Sequence, residues 1–434
     1  MPRSSSAFGA GRIWTRLWQG VFLLCLAAPV ARCQEPAAPR DTTLETGITA
    51  GESDAEEPRR RLIHWNEYDL GFTTFRFGGG FLVDYSTFSQ DDASREQVEL
   101  DSKFKIRDGR FLFRGRFNTK RPITWQAGFM YDGVNDEWLV RQTGLMIAVP
   151  ELWGHFFIGR AKEGFSLNKV MTGYDGWTME RMTFTDATVP LLADGIKWLG
   201  YLPDRHLIWN VGVFTDWLSE GQSFSSYDHQ FVARVAWVPM VADTAGTLLH
   251  LGLNFRTGQA NNGAFQLRSR PENNIAPYFI DTGKFPAQSA TMAGVEAYYR
   301  PGSWLFGTEY YGQTVNSPET GDPFFHGGDI FAAWLVTGET RSYNTVGGYF
   351  RAVSPARTVF EGGPGAWEVL LRMSYSDLDD GSVEGGKFWR ITPMVNWHLS
   401  DNMRLEFAYG YGRLDRFGLT GATQFFQSRL QLQL

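Results

Sequence analysis

The stretch 103–117 reads KFKIRDGRFLFRGRF, and its alternating pattern decides the fold class. Successive side chains of an extended chain point to opposite faces. Up to Arg107, basic residues share one face and apolar residues the other. After Asp108 the pattern shifts by one residue, and a bulge at Gly109 would keep both faces aligned. The cationic face then carries Lys103, Lys105, Arg107, Arg110, Arg114 and Arg116. A soluble protein could expose such a strand at a sheet edge.

Composition favours one large barrel over two or three soluble domains. The 434 residues include 16 Trp, 16 Tyr, 34 Phe and 48 Gly, and no apolar run is long enough for a membrane helix. Only every second residue of an outer-membrane strand faces lipid, so such chains have ordinary mean hydropathy. The moderate apolar content of this chain is therefore compatible with a membrane barrel.

The first residues have the features of an export signal. Several arginines precede the short apolar run Val21–Ala28, and a cleavage site follows at Cys33. Both cysteines lie in this leader, so the mature chain is predicted to have no disulfide. The predicted parts are a signal peptide (1–33), a flexible N-terminal periplasmic tail (34–69) and a transmembrane barrel domain (70–434).

Segments of about ten residues with alternating polarity recur from Gly79 to the end of the chain. Short turns and longer connections alternate between them, which is typical of an antiparallel up-and-down barrel. We predict an all-β transmembrane barrel of about sixteen strands with both termini on the periplasmic side. Sixteen strands enclose more space than side chains fill, so the polar face is expected to line water. The predicted strands are 79–88, 101–117, 123–133, 137–149, 153–161, 193–201, 206–216, 229–238, 247–256, 290–300, 304–313, 328–338, 366–378, 387–398, 402–413 and 424–434.

Two connections are unusually long for this pattern. Residues 163–190 are rich in Phe, Trp and Met and need a surface to pack on. They could fold into the lumen or cap the mouth of the barrel, and the residues alone leave both alternatives open. Residues 339–365 are interpreted as one periplasmic excursion, because counting a strand there would break the alternation of turns.

Catalytic and metal-binding motifs are missing from the sequence. It has no Gly-x-Ser-x-Gly elbow and no His-Glu-x-x-His pair, and its seven histidines are dispersed. We predict no enzyme activity, no cofactor and no metal. Nucleic-acid binding is not expected, because basic residues interleaved with outward aromatics suit a lipid-facing wall better than a stacking platform.

Several segments together resemble the phosphate-selective porins O and P, from about Phe75 to the end. They are FKIRDGR at 104–110, GRAKEGFSL at 159–167, Glu180-Arg181, LVTGETRSY at 335–343, GAWE at 365–368, RMSYSDL at 372–378 and Asn396-Trp397. The resemblance implies a trimeric sixteen-stranded outer-membrane barrel with an inward-folded loop. It also implies basic side chains that guide phosphate or polyphosphate through a constriction. Where the family commonly carries two adjacent arginines, this chain has Arg107 and Asp108.

The leading hypothesis is an outer-membrane diffusion channel with anion preference, acting as a homotrimer in lipid on phosphate-like inorganic anions. Rows of guanidinium groups stabilise anions, and spreading them keeps each site shallow. The alternatives are a barrel hydrolase and a plugged structural or adhesive barrel. The predicted anion-path residues are Lys103, Lys105, Arg107, Arg110, Arg114, Arg116, Arg160, Lys162, Arg234, Arg256, Arg372 and Arg390. The acids expected to neutralise part of this row are Glu296, Glu309, Glu368 and Glu406.

Overall fold

The computed structural model describes residues 67–217, 227–242 and 246–434. The predicted leader and the tail up to residue 66 lie outside the described residues. Sixteen strands of the described chain form one antiparallel sheet, the fourth strand being interrupted at Arg141 and Gln142. The strands are β1 (Thr74–Gln90), β2 (Lys103–Phe117), β3 (Ile123–Asp132), β4 (Glu137–Val140 and Thr143–Val149), β5 (Gly154–Ala161), β6 (Ala193–Leu202), β7 (Leu207–Thr215), β8 (Tyr227–Ala242), β9 (Thr247–Ala260), β10 (Ser289–Arg300), β11 (Trp304–Asn316), β12 (Phe324–Leu335), β13 (Ala366–Asp380), β14 (Val383–Ser400), β15 (Met403–Arg416) and β16 (Leu419–Gln433).

The sheet closes on itself. Each strand pairs with its neighbour in sequence, and β1 pairs with both β2 and β16, where Gly80 lies opposite Gln433. A short strand, Glu67–Asp69, pairs antiparallel with the start of β1, although these residues were assigned to the tail. The predicted sixteen-stranded antiparallel barrel is confirmed. We call the end that holds Thr74 and Gln433 the terminal rim and the opposite end the loop rim.

The two faces of the wall follow the predicted alternation. On β9, Leu253 is 65% exposed, whereas His250 and Arg256 are buried. At the terminal rim, tryptophan rings stack in pairs on the outer face, with centroids 5.1 Å apart for Trp304 and Trp334. Such an aromatic belt is expected where a barrel wall meets the lipid headgroups. The wall therefore has an apolar outer face and a polar face towards the lumen.

The bulge in β2 lies at Arg107, and its predicted position at Gly109 is wrong. Ile106 pairs with Val83, while Asp108 pairs with Leu82, so Arg107 is the extra residue. Because of this insertion, Ile106 is exposed outside whereas Asp108, two residues later, is fully buried inside. The pattern shows only that one residue is inserted between the two alternating stretches. The long side chain of Arg107 reaches the lumen from the bulge, which a shorter side chain would not do.

Short helices and hairpins occupy the connections. None of the helices within residues 67–217, 227–242 and 246–434 is long and apolar enough to cross a bilayer. The α-helices are α1 (Asp92–Gln97), α2 (Leu167–Val170) and α3 (Thr183–Thr188), and the 3-10 helices are Pro150–Leu152, Pro203–Arg205, Asn261–Gly263, Pro318–Thr320 and Val359–Glu361. The paired two-residue strands are Ala264–Phe265 with Phe285–Pro286, Arg268–Ser269 with Ile280–Asp281, and Tyr343–Asn344 with Tyr349–Phe350.

Three connections turn into the lumen. We call them the inward loop (162–192), the second inward segment (261–288) and the hairpin segment (336–365). In the inward loop, Trp177 is fully buried and stacks on Phe331 of β12 with ring centroids 4.7 Å apart. This contact decides between the two alternatives for residues 163–190, because the ring packs on the inner wall.

The other two segments also fill part of the lumen. The ring of Phe279 lies 5.8 Å from that of Phe425 on β16, and Phe350 of the hairpin segment is buried beside Trp177. The hairpin segment enters from the terminal rim, whereas the sequence predicted only an excursion outside the barrel. The polar face therefore does not line water throughout, because apolar side chains of these segments pack inside the lumen.

Candidate functional site

Asp108 forms the centre of a buried group of charges on β2. It is 0% exposed and accepts hydrogen bonds from Arg107 and from Arg110, the latter at 3.1 and 2.8 Å. The hydroxyl of Tyr174 in the inward loop donates a third contact at 3.1 Å. The guanidinium of Arg110 also lies 4.4 Å from the centre of the Tyr174 ring. Asp108 thus fixes two arginines of the wall and ties them to the loop.

Glu180 of the inward loop bridges two strands. Its carboxylate accepts two hydrogen bonds from Arg107 on β2, both 3.1 Å, and one from Arg429 on β16. Arg429 also binds Asp84 of β1 at 2.7 and 2.6 Å. Burial opposes the charge of Glu180, but the guanidinium groups of Arg107 and Arg429 outweigh it and lower the pKa of Glu180 to about 2. Glu180 is therefore ionised at every physiological pH.

A cavity of about 30 Å³ lies between β1, β2, β16 and the inward loop. That volume is enough for one or two water molecules. Four arginines and one glutamate give it its charge, and small or polar loop residues form much of the rest. The lining residues are Leu82, Arg107, Arg110, Asn168, Met171, Thr172, Gly173, Gly176, Thr178, Met179, Glu180, Arg181 and Arg429.

Arg181 differs from the other arginines of the cavity in its partners. Its guanidinium donates to the backbone carbonyls of Asn168 at 3.0 Å and Met171 at 3.1 Å. Burial, reinforced by the nearby charge of Arg110, lowers the pKa of Arg181 to about 10, which still leaves it protonated at neutral pH. Carbonyl dipoles orient this guanidinium without cancelling its charge, so the cavity retains a positive charge on the loop side.

Several of the predicted arginines lie apart from the cavity and bind the inward segments. Arg234 donates to Gly348 of the hairpin segment at 2.7 Å. Arg256 lies 3.1 Å from Glu163 at the start of the inward loop. Arg390 donates to backbone carbonyls of the second inward segment.

Arg372 links two of the inward segments. It binds the Glu272 carboxylate of the second inward segment and the Glu180 carbonyl of the inward loop, the latter at 2.9 Å. These contacts show the wall arginines acting as anchors for the segments inside the lumen.

The remaining predicted anion-path residues differ from one another in their partners and in their position along the barrel. Arg160 is fully buried and binds Asp194 on the adjacent strand at 2.8 Å. Lys162 donates to the Met171 carbonyl, and Lys105 donates to backbone carbonyls in the turn after β3. Three lie nearer the rims: Lys103 is exposed towards the loop rim, while Arg114 and Arg116 are half-buried towards the terminal rim. Of the twelve predicted residues, Arg107 and Arg110 line the cavity.

On the opposite wall, the inward loop is held by carboxylates. Glu309 accepts hydrogen bonds from the Ser166 hydroxyl, from the Asn168 backbone N–H at 2.9 Å and from the hydroxyls of Tyr298 and Tyr311. Adjacent on the wall, Glu296 accepts the Leu167 backbone N–H at 2.7 Å and pairs with Arg234 and His250. We call these contacts the anchor side and the Glu180 contacts the cavity side.

The four predicted acids thus have different partners. Glu296 pairs with an arginine, as expected, and so do Glu368 with Arg341 and Glu406 with Arg404. The contacts described for Glu309 are instead to hydroxyls and a backbone N–H.

Two cavity arginines were missing from the sequence-based set. Arg429 belongs to the inward face of the last strand, and Arg181 belongs to the Glu180-Arg181 segment that carries the family resemblance. Alternation marks Arg429 as a lumen residue but gives no sign that it meets Glu180. That contact joins residues 249 positions apart and depends on where the loop crosses the barrel.

Comparison with known proteins gives a consistent assignment. A family model described as phosphate-selective porin O and P matches residues 75–434. Porin O of Pseudomonas aeruginosa is 24% identical over 386 residues, which cover 79% of this chain and 84% of that protein. An uncharacterized protein of Caulobacter vibrioides is 31% identical over 191 residues, 43% of this chain and 37% of that one.

Solved structures share the architecture at low identity. The trimer form of OmpT from Vibrio cholerae has a TM-score of 0.52 at 12% identity, over 83% of this chain and 99% of that one. An anion-selective porin from Comamonas acidovorans has a TM-score of 0.53 at 12% identity, over 83% and 100%. Because the family model spans more than half of the sequence, the chain belongs to the phosphate-selective porin O and P family and is an outer-membrane porin, a channel and not an enzyme.

Proposed function

We propose that this porin passes small inorganic anions, phosphate-like ions among them, along the basic residues of its lumen. The cavity carries the proposal. Four arginines line it, while the carboxylates of Asp84, Asp108 and Glu180 contact only three of them. A fourth acid, Glu406, lies 4.0 Å from Arg429 but is paired with Arg404 at 3.1 Å. Since Arg181 donates to backbone carbonyls, the charge of the cavity is positive although the whole chain has a formal net charge of −6. The field at the constriction governs selectivity more than the net charge does.

Guanidinium groups suit this task because their planar forks bind oxyanions with two parallel hydrogen bonds. In this lumen many of the forks already hold protein carboxylates or carbonyls, as Arg256 holds Glu163. An anion then meets a few incompletely neutralised cations instead of a row of free ones. Shallow sites permit release, and we propose that anion preference is moderate.

Bilayer recordings test the proposal directly. Reversal potentials in a potassium chloride gradient should show preference for chloride, and a conductance series in chloride, phosphate and pyrophosphate should rank the permeating anions. Preference for potassium would overturn the proposal. The family description supports phosphate as a permeating ion, and the conductance series decides it for this chain.

We also propose a homotrimer, which the family resemblance implies. A trimer form exists for OmpT, whose fold is similar. Chemical crosslinking of the protein in detergent should yield bands up to three times the mass of the mature monomer on unheated gels. A single monomer band after crosslinking in both detergent and lipid vesicles would contradict the trimer.

The non-conducting alternative has one observation in its favour. The three inward segments bury apolar side chains such as Trp177, Phe279 and Phe350 inside the lumen. A barrel filled in this way could serve as a structural or adhesive protein. Absence of single-channel current from folded protein would favour that alternative over the anion channel.

A further inference from the structure

Glu180 occupies the point of the cavity at which arginines of two strands converge. Arg107 of β2 gives it two hydrogen bonds of 3.1 Å, and Arg429 of β16 gives it a third. The carboxylate thus binds the guanidinium fork of Arg107 through both of its oxygens. This is the geometry in which guanidinium groups also bind phosphate and other oxyanions.

The three carboxylates that bind arginines of the cavity differ in how firmly they are held. Asp84 and Asp108 lie on wall strands, next to the arginines they neutralise, and are buried. Glu180 comes from the inward loop, and 15% of its side chain is exposed. Its side-chain oxygens receive hydrogen bonds from the guanidinium groups of Arg107 and Arg429. Rotation of the Glu180 side chain would therefore release two N–H donors of Arg107 and one of Arg429, while Asp108 and Asp84 keep both guanidinium groups in the wall.

The space that remains agrees with this arrangement. The cavity beside Glu180 has about 30 Å³, room for one or two water molecules, so an anion that binds the arginines there must take the place of the carboxylate. Withdrawal of the carboxylate would enlarge the cavity and expose the forked donors of Arg107 together with one N–H of Arg429. Movement of Glu180 would thus both enlarge the cavity and release the arginine N–H groups that bind an anion.

Resting on the proposed anion channel, we propose that Glu180 is a tethered competitor: a permeating oxyanion displaces its carboxylate from Arg107 and Arg429. The displaced carboxylate returns to the two arginines as the anion leaves. Because the arginines exchange one anionic partner for another, they are never left without a counter-charge. The exchange weakens net binding of the permeating ion and speeds its release.

The experiment compares E180Q and E180D with wild type in planar bilayers. Conductance is measured against concentration in potassium chloride and potassium phosphate, together with the reversal potential. E180Q removes the competing charge, so the half-saturating anion concentration should fall about tenfold, as expected for loss of a charge-assisted hydrogen bond. E180D keeps the charge but shortens its reach, and the same concentration should fall by a smaller factor.

The control is D186N, which removes one charge from the same loop. Asp186 is exposed, lies 3.7 Å from Lys169, accepts a hydrogen bond from Ser269 and does not line the cavity. Its half-saturating concentration should stay within about twofold of wild type, since charges beyond the local site are screened. A fall in E180D, whose net charge equals that of wild type, supports displacement over a general charge effect.

Three results would overturn the inference and leave the proposed function standing. One is an equal fall in D186N and E180Q, which would show a general charge effect. Another is higher conductance in E180Q with equal gains for cations and anions, which would show a loosened loop. The last is a wild type that prefers anions together with an E180Q variant of equal half-saturating concentration. This result contradicts the inference but keeps the proposed function. Wild-type cation preference would remove both.

Discussion

The inward loop meets the barrel wall on two sides, and the two contacts have opposite polarity. On the cavity side, the loop supplies the Glu180 carboxylate and the wall supplies the guanidinium groups of Arg107 and Arg429. On the anchor side, the wall supplies the carboxylates of Glu296 and Glu309, and the loop supplies backbone N–H groups and a hydroxyl.

Because of this difference, a permeating anion can replace the loop carboxylate on the cavity side, but it cannot replace the loop on the anchor side. If Glu180 moves away, the guanidinium groups stay in the wall, where a small anion can take its place. If the loop leaves the anchor side, the carboxylates stay in the wall and repel anions, so no permeating anion can replace the lost donors. We therefore expect the anchor side to be structural and the cavity side to set selectivity.

The largest effect should come from breaking the anchor side. Glu309→Gln removes the charge that four donors share, with an expected loss of about 3 kcal/mol in the free energy that holds the loop. Relief of repulsion from Glu296 on the neighbouring strand offsets part of this loss. The loop should be held less firmly at Ser166 and Asn168, so single-channel conductance should rise and protease should cut within 162–192 faster than in wild type while the barrel stays folded.

The matched control for that change is Glu319→Gln. Glu319 is exposed in the turn after the same strand, and its substitution should alter neither conductance nor proteolysis. Unchanged conductance and proteolysis in Glu309→Gln would mean that the anchor side does not hold the loop.

The next effect concerns the fixed acid of the cavity side. Asp108→Asn leaves Arg107 and Arg110 with less counter-charge, so the ratio of anion to cation permeability should rise about threefold. Reversal potentials in a chloride gradient measure this permeability ratio. Asp101→Asn, which removes an exposed acid just before the same strand, is the control. Equal ratios for Asp108→Asn and wild type would remove Asp108 from the selectivity of the channel.

A smaller change is expected at the terminal end of β2. The double variant Arg114→Ala with Arg116→Ala should lower the ratio of anion to cation permeability to about half, because both positions face the lumen away from the cavity. Neither side chain is fully buried, so the barrel should keep its folded mobility on unheated gels. Arg121→Ala, in the exposed turn that follows, provides the control. A ratio equal to wild type would confine selectivity to the cavity.

The smallest effect is a pH dependence from the inward loop. Burial lowers the pKa of Lys169 to about 8; Asp186 at 3.7 Å and Glu163 favour its charge, and Arg181 and Arg256 oppose it. As the pH rises from about 7 to 9, Lys169 loses its proton and anion preference should fall slightly.

The same lowered pKa fixes the sign of the effect on stability. The unfolded chain still binds this proton between about pH 8 and 10.5, so stability should rise with pH in that window. Lys169→Met should abolish the step in reversal potential between pH 7 and 9. A step of equal size in this variant would assign it to another group.

Much of this molecule can be predicted from local pattern. Alternation with period two places Leu253 outside and Arg256 inside, and it locates sixteen strands within a few residues. The inward position of residues 163–190 was one of two open alternatives, because Trp177 and its apolar neighbours need a wall but do not specify which one. The hairpin segment gave no sign of entering the lumen.

The sequence by itself determined the closed antiparallel barrel and which side chains face its lumen, because both follow from relations between residues two positions apart. Tertiary structure alone decided that the bulge lies at Arg107 and that Glu180 meets Arg107 and Arg429. It also decided that Glu309, which was expected to neutralise a basic residue, accepts hydrogen bonds from the inward loop. These contacts cross the lumen, so they depend on the width of the barrel and the path of each inward segment, which no local pattern records.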